Sequence, residues 1–487
     1  MLADPGSSAP AIISTSPLVV VSYKALAEQI ERLSGQLRSA GLKPGDRVAI
    51  VLPNGLEFLV VFLALTRARL VAAPLNPADK PDEIRFFIED SGARAIVAEG
   101  ANTAVREASA GLGLPICQPR VDYRGVVELP ELPAASRTST EAPGPDDIAL
   151  FAYSSGTTGR PKCVPLTHAN VLWSSRNIAA HYALTSADCS LVVLPFFHGH
   201  GLIGATLSTL ASGGSVIVPP RFSASEFWEL FREHRATWYS AVPTIHQVLL
   251  ERADSDGAPR SGPRFIRSCS APLAPAILTK LENRFGAPVI EAYGMTEAAH
   301  QVATNPLPPL VRKPGTVGLS SEISIVDENG KHLASNSPGE VVVRGPNLMR
   351  GYHNNPEANA EAFVDGWFRT GDIGAIDSDG YLALTGRIKD LINRGGEKIS
   401  PAEIEAVLLE HPAVAEAAVF GVPDPKYGEE VSAVVVLRSD ATVQELQSFC
   451  RTRLADFKVP KQIHLVSSIP KNAMGKVQHA DLAALLS

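Results

Sequence analysis

The chain has 487 residues, enough for roughly three domains' worth of structure and a large buried core. Its 45% apolar and 20% charged composition is globular and excludes a disordered chain. A net charge of −7, from 44 basic and 51 acidic residues, argues against non-specific nucleic-acid binding, which needs a basic field.

Residues 48–52 read as a strand and 56–70 as the helix that follows. The stretch 129–145, rich in Pro, Ala, Ser and Thr, reads as an exposed connection. A short buried strand at 148–153 precedes a glycine-rich loop, and further strands follow at 191–194, 216–218 and 238–242. A helix starts at Ser223, with Glu226 three residues on as a capping box. Strands separated by helices imply mainly parallel sheets in an α/β fold, with ligands at the carboxyl ends of strands. Past Gly315 the strands 323–326, 340–344 and 381–384 are separated by turns such as Glu328-Asn329-Gly330, which is antiparallel material. A last unit starts near Lys389. Ser400-Pro401-Ala402-Glu403 opens a helix with a capping box and Pro at its first position. Strands at 414–420 and 431–437 and a helix at 443–454 complete a small α+β unit. The expected division is therefore 1–388 for a large core and 389–487 for a mobile lid.

Cys117, Cys163, Cys189, Cys269 and Cys450 are odd in number and form no CxxC pair. A disulfide framework or zinc ribbon is not expected, and a reducing compartment fits best. The first 22 residues carry no Lys or Arg, so no secretory n-region is present. The apolar run 58–65 is stopped by Thr66 and Arg67, too short for a bilayer. The terminal Leu-Leu-Ser is not a peroxisomal address. The expectation is a soluble cytoplasmic protein with neither membrane nor nucleic acid as partner.

The sharpest segment is Tyr153-Ser154-Ser155-Gly156-Thr157-Thr158-Gly159-Arg160-Pro161-Lys162. Glycines let the backbone approach an anion, hydroxyls and amides donate to it, and the lysine adds charge. This is phosphate chemistry without the Walker pattern. Taken alone, such a loop reads equally as a Ser/Thr/Gly surface loop; the order of its residues is what singles it out.

Here the sequence resembles the adenylate-forming superfamily of acyl-CoA synthetases, firefly-type luciferases and carrier-loading adenylation domains. The loop is that family's signature, and the others follow in the family's order. They are Pro195-Phe196-Phe197-His198-Gly199-His200-Gly201, Tyr293-Gly294-Met295-Thr296-Glu297 and Trp367-Phe368-Arg369-Thr370-Gly371-Asp372. Next come Gly386-Arg387-Ile388-Lys389-Asp390, Gly395-Gly396-Glu397-Lys398-Ile399-Ser400-Pro401 and Pro470-Lys471-Asn472-Ala473-Met474-Gly475-Lys476. The resemblance implies that a carboxylate attacks the α-phosphorus of ATP and that a thiol, usually of CoA, then displaces AMP. By the same resemblance Glu297 holds Mg²⁺ through a hard oxygen ligand. Thr296 bonds the α-phosphate, and Lys476 neutralises charge as carboxylate and phosphate converge. Ser154, Ser155, Gly156, Thr157, Thr158, Gly159 and Lys162 cradle phosphate. Glu291, Ala292, Tyr293 and Gly294 bind the nucleotide, with Tyr293 offering a flat face to adenine. Asp372 accepts from both ribose hydroxyls, and Arg387 donates to ribose and phosphate. Gly395, Gly396 and Lys398 line the CoA channel, and Lys389 is the hinge about which the lid turns between the two steps. Cys163 stands where the family usually has Gly, so a left-handed backbone there would be strained.

The wider segments narrow the acid. Residues 237–247, Arg267-Ser268-Cys269-Ser270-Ala271, residues 291–300 and 393–401 resemble plant and fungal oxalate–CoA ligases. In that subfamily His198, Ser270 and His300 match the residues that contact oxalate. A small dianion wants a short pocket rich in donors, which His and Ser supply. Ser270 could equally bond its local backbone and His300 could be a loop residue. Malonate–CoA ligases typically place Arg before the signature Tyr, where this chain has Ala292. A longer fatty acid, a carrier protein as acceptor and a non-catalytic AMP-binding relative stay as alternatives.

Overall fold

The computed structural model describes residues 1–135, 141–154, 160–260, 262–320, 322–471, 477 and 482. Strands and helices alternate as far as residue 304 and build two mainly parallel sheets. One has six strands, in the order Lys162–Thr167, Ile148–Ser154, Val71–Pro74, Arg47–Val51, Ala95–Ala98 and Ile116–Cys117. Only its first pair is antiparallel.

The other sheet has eight. Its parallel centre runs Val289–Met295, Phe265–Ser268, Trp238–Ala241, Cys189–Val192, Ser215–Val218 and Pro10–Thr15. Antiparallel strands His300–Thr304 and Leu18–Ser22 close the two edges. The chain passes from Cys189–Val192 to Ser215–Val218 on one side, then to Trp238–Ala241 on the other. The winding therefore reverses at Cys189–Val192, and open parallel sheets bind ligands beyond the carboxyl ends of their strands at such a switch.

The helix Leu56–Arg67 is apolar all round, and such a helix must be buried. Every residue from Leu56 to Thr66 except Glu57 is buried. Its Phe58 ring lies 5.2 Å from Phe196, in the loop that leaves Cys189–Val192. Asn54 clamps the same loop: its Nδ2 donates to the Leu194 carbonyl (2.9 Å) and its Oδ1 accepts from the Phe196 N–H (2.8 Å). That loop carries His198 and His200.

Beyond residue 304 the pairing turns antiparallel, as the turn-separated strands predict, except that Gln462–Leu465 runs parallel to Gly428–Leu437. Ile323–Val326, Gly339–Val343 and Trp367–Ile376 form a ladder, and Leu382–Arg387 pairs with the last of them. Strands Ile392–Arg394, Glu397–Ile399, Val414–Asp424, Gly428–Leu437 and Gln462–Leu465 build a separate sheet. It shares a core with helices Pro401–Glu410 and Val443–Arg451, in which Ile392, Ile404, Leu408, Val431 and Leu446 are buried. Among the described residues no helix is long and apolar enough to cross a membrane.

Several local expectations are corrected. The strand expected at 191–194 is Cys189–Val192, because residues 193–194 already start the clamped loop. The helix expected to reach 70 stops at Arg67; Arg69 takes a left-handed φ of 61° and its guanidinium pairs with Asp147 at 2.8 Å. Neither expected capping box forms. The Ser223 hydroxyl meets Ser225 instead (3.2 Å), and Ser400 donates to the Thr385 carbonyl while Glu403 pairs with Lys458. Both helices still begin where expected. Cys163 lies in the strand Lys162–Thr167 opposite Tyr153 and outside the left-handed region, so no strain arises there. Burial pushes its thiol up to about 12, which leaves it inert.

The hairpin Pro10–Ser22 was not anticipated. It extends the eight-stranded sheet, and Tyr23 just after it is buried. The Tyr23 hydroxyl donates to the Gly214 carbonyl at 2.6 Å, with the Leu210 carbonyl at 3.1 Å. Tyr23→Phe leaves these buried acceptors short of a donor. It should cost about 1–3 kcal/mol. A urea melt should show a lower midpoint at unchanged slope; an unmoved midpoint would show that the anchor does not hold the hairpin.

Candidate active site

The Ser/Thr/Gly loop joins two antiparallel strands whose register sets Ser154 opposite Lys162. Ser155, Gly156, Thr157, Thr158 and Gly159 lie outside the described residues, as does Lys476. Lys162 at the base of the loop carries its ammonium 4.8 Å from the centre of the Tyr352 ring. The Tyr352 hydroxyl donates to Glu297 Oε1 at 2.9 Å, which joins the loop base to the acidic residue. Glu297 is buried in the single 3₁₀ turn Thr296–Ala298 that ends the strand Val289–Met295, with Thr296 half-buried beside it.

A second group assembles on the antiparallel ladder. Asp372 and Arg387 are paired across neighbouring strands. Arg387 Nε donates to Asp372 Oδ1 at 2.8 Å, and the Tyr293 hydroxyl donates to Oδ2. Burial, and then the Asp372 charge, hold the Tyr293 phenol well above its usual range, so it stays a donor. A carboxylate offers roughly four lone-pair sites, so two remain for other hydroxyls. Glu291 is not drawn into this group. Its Oε2 accepts from the Gly315 N–H at 3.1 Å, and burial raises its carboxyl to about 8. Ala292 sits in the ladder opposite Thr304.

The third group surrounds the histidines. His198 is half-buried, and its Nδ1 accepts from the His200 N–H at 3.2 Å. His200 is fully buried and opens a π-helix, His200–Leu207. Its Nδ1 lies 2.9 Å from the Ser270 hydroxyl and its Nε2 2.6 Å from that of Ser240. Its ring stacks on His300 with centroids 4.9 Å apart and planes 25° apart. Gly204 makes room for this stack, since a Cβ there would stand 2.5 Å from His300 Nε2. Ser270 (φ 73°) and His300 (φ 89°) both occupy the left-handed region, where non-glycine residues are uncommon and cluster at functional sites.

The histidine group and the acidic turn share one side of the eight-stranded sheet because their residues follow the carboxyl ends of its parallel strands. His198 and His200 follow Cys189–Val192, Ser270 follows Phe265–Ser268, and Thr296 and Glu297 follow Val289–Met295. The last strand reverses at once into His300–Thr304, which carries His300 back beside Gly294. A Cβ on Gly294 would lie 1.6 Å from the His300 carbonyl oxygen, so glycine is required for that approach.

Gly395 (φ 61°) and Gly396 (φ 97°) form the turn of the hairpin Ile392–Ile399, with Lys398 exposed on its second strand. Lys389 is exposed in the 3₁₀ turn Ile388–Asp390, between the ladder and the last sheet. Sequence reasoning missed four residues of this neighbourhood: His200, Ser240, Arg267 and Tyr352. Three of them lie within segments already singled out, but nothing in their spacing tells which side chains turn inward. Tyr352 sits in no such segment.

The chain matches two family models, described as AMP-binding enzyme over residues 3–353 and AMP-binding enzyme C-terminal domain over residues 403–476. It is 47% identical over 485 residues to a protein of Arabidopsis thaliana named oxalate–CoA ligase, covering 97% of this chain and 94% of that one. A Saccharomyces cerevisiae protein of the same name is 43% identical over 470 residues, covering 90% and 86%. The crystal structure of ATP-bound MatB from Rhodopseudomonas palustris superposes with a TM-score of 0.90 at 33% identity, covering 100% of this chain and 99% of that one. With the ordered signatures, the strand-end geometry and these matches in agreement, the chain belongs to the AMP-binding enzyme family, the adenylate-forming superfamily.

Proposed function

We propose that this chain converts oxalate, ATP and CoA into oxalyl-CoA, AMP and pyrophosphate. One oxalate oxygen attacks the α-phosphorus, and the bond to the departing pyrophosphate breaks. The CoA sulfur then attacks the acyl carbon and AMP leaves. The observation that carries the acid is the His200–His300 stack with Ser270 bonded to it, one chain reversal away from Thr296 and Glu297. Oxalate's two carboxylates are directly bonded. When one reaches the α-phosphate, the partners of the other must stand beside the phosphate residues, and we assign His198, Ser270 and His300 to that place. The extensive identity to proteins named oxalate–CoA ligase supports the same acid. Ala292, which replaces the arginine expected for malonate, supports a shorter one.

Ser154, the loop that follows it and Lys162 are assigned to the phosphates, Tyr293 to the adenine face, and Asp372 with Arg387 to the ribose. Among the described residues no group of three or more His, Cys, Asp or Glu could cage a metal. Mg²⁺ in nucleotide sites is commonly held by one or two carboxylates plus substrate phosphates, and a buried Glu297 with one oxygen on Tyr352 fits that pattern. Glu297 would hold the ion, which supplies neutralisation of phosphate charge.

A carboxylic-acid panel with ATP, Mg²⁺ and CoA tests the substrate. Oxalate should exceed acetate in kcat/KM by about 10⁴, the scale reached when a polar site is left unpaired. His300→Ala should lower kcat/KM for oxalate by about 1.5–3 kcal/mol with little change in KM for ATP. Acetate, malonate or a fatty acid outrunning oxalate would overturn the substrate.

We take residues 1–388 as the core and 389–487 as a unit that turns about Lys389 between the half-reactions. Lys476 serves adenylation, and the Gly395-Gly396 turn with Lys398 lines the CoA path. Lys476→Ala should slow acyl-adenylate formation by at least about 10²-fold, while thioester formation from synthetic adenylate persists. Equal loss of both halves would remove Lys476 from this role. Lys389→Pro fixes φ at the turn. It should spare pyrophosphate exchange and depress turnover with CoA; normal turnover would rule out the hinge.

A further inference from the structure

Arg267 is fully buried in the middle of the eight-stranded sheet. Among the described residues no carboxylate forms an ion pair with it. Among the described residues its guanidinium donates to uncharged oxygens, Nε to the Tyr182 hydroxyl (2.9 Å), Nη1 to Ser240 Oγ (3.0 Å) and Nη2 to Gln301 Oε1 (3.0 Å), with the Cys269 thiol beside it. Burying a guanidinium without an opposite charge is costly, and an apolar residue would fill such a core site better. Stability alone therefore gives no reason for an arginine here.

The direction of its hydrogen bonds gives one. A guanidinium can only donate and keeps its charge at any working pH. Ser240 Oγ must therefore accept from Arg267. Ser240 is buried, and among the described residues its oxygen meets one other partner, His200 Nε2 at 2.6 Å. A buried hydroxyl proton needs an acceptor. Ser240 thus donates to His200 Nε2, which must be unprotonated. The neutral imidazole then carries its proton on Nδ1 and donates it to Ser270 Oγ at 2.9 Å. With its oxygen accepting from His200, Ser270 must aim its own O–H elsewhere. An imidazolium would set an N–H against the Ser240 O–H and a second cation near the first.

We propose that Arg267 is a positioning residue: through Ser240 it fixes His200 as the neutral Nδ1–H tautomer and so presents the Ser270 hydroxyl as a donor to the bound acid. The last step rests on the substrate role given to Ser270 above; the tautomer itself does not. Each link is a single proton with a defined direction, so one residue with no acceptor sets the sense of the whole chain.

The test uses the full-length protein without ligand, labelled with ¹⁵N-histidine. Long-range ¹H–¹⁵N spectra at neutral pH distinguish the tautomers, and His200→Gln identifies the His200 signals. Wild type should show Nδ1 protonated and Nε2 bare. Ser240→Ala, which keeps Arg267 in place, should populate the Nε2–H form, as should Arg267→Met if it folds. Ser240→Thr keeps the hydroxyl and should keep the tautomer. With the acid that the panel shows to be turned over fastest, Ser240→Ala should lower kcat/KM in pyrophosphate exchange about tenfold, the scale of one lost hydrogen bond to a charged group, with KM for ATP unchanged. Ser240→Thr should restore most of it. A wild-type His200 that is Nε2–H or doubly protonated, or a tautomer indifferent to Ser240→Ala, overturns the proposal. A wrong acid in the panel would overturn the oxalate reading and leave the tautomer result standing.

Discussion

The approach of Gly294 to the His300 carbonyl is the contact on which the site's geometry depends. It lets the strand Val289–Met295 reverse within one 3₁₀ turn and pair with its own continuation. Thr296 and Glu297 occupy the turn, and His300 opens the returning strand after Ala299. Ala299 and His300 both take positive φ to complete the reversal. Left-handed backbone at non-glycine residues costs of order 1–3 kcal/mol each, and the surrounding packing has to hold it. One backbone reversal thus sets the distance between the phosphate residues and the candidate acid residue.

Parallel strands supply the rest. Their carboxyl ends lie on one side of the sheet, so loops far apart in sequence open into the same space. The apolar helix Leu56–Arg67 and Asn54 then fix the loop that carries His198 and His200. The antiparallel ladder brings Asp372 and Arg387 together as cross-strand partners and delivers them to Tyr293.

The site is polar where the sheet's interior would ordinarily be apolar. Arg267, Ser240, His200, Tyr182, Gln301 and Thr304 are all nearly inaccessible to solvent and bonded to one another. In a low-dielectric interior such a network is rigid when satisfied and costly when broken.

The sequence alone determined the fold class, much of the alternation of strands and helices, and the family to which its signatures belong. Buried parallel strands read as continuous β-branched runs, and phosphate loops need particular residues in a particular order. Ser154, Lys162, Tyr293, Thr296, Glu297, Asp372 and Arg387 could be singled out as candidates from that order alone. Cap hydroxyls were less legible: Ser223 and Ser400 start helices but bond elsewhere, because nearby acceptors compete for them. The N-terminal hairpin was invisible because its partner strand, Ser215–Val218, lies some two hundred residues away. Only the tertiary structure decided that His200, not His198 alone, joins Ser270 to His300, and that Arg267 stands behind both. A residue's type is local, but the side to which it points depends on strand register, on the π-helix at His200–Leu207 and on the space left by Gly204. Those are set by packing between segments that no short stretch of sequence contains.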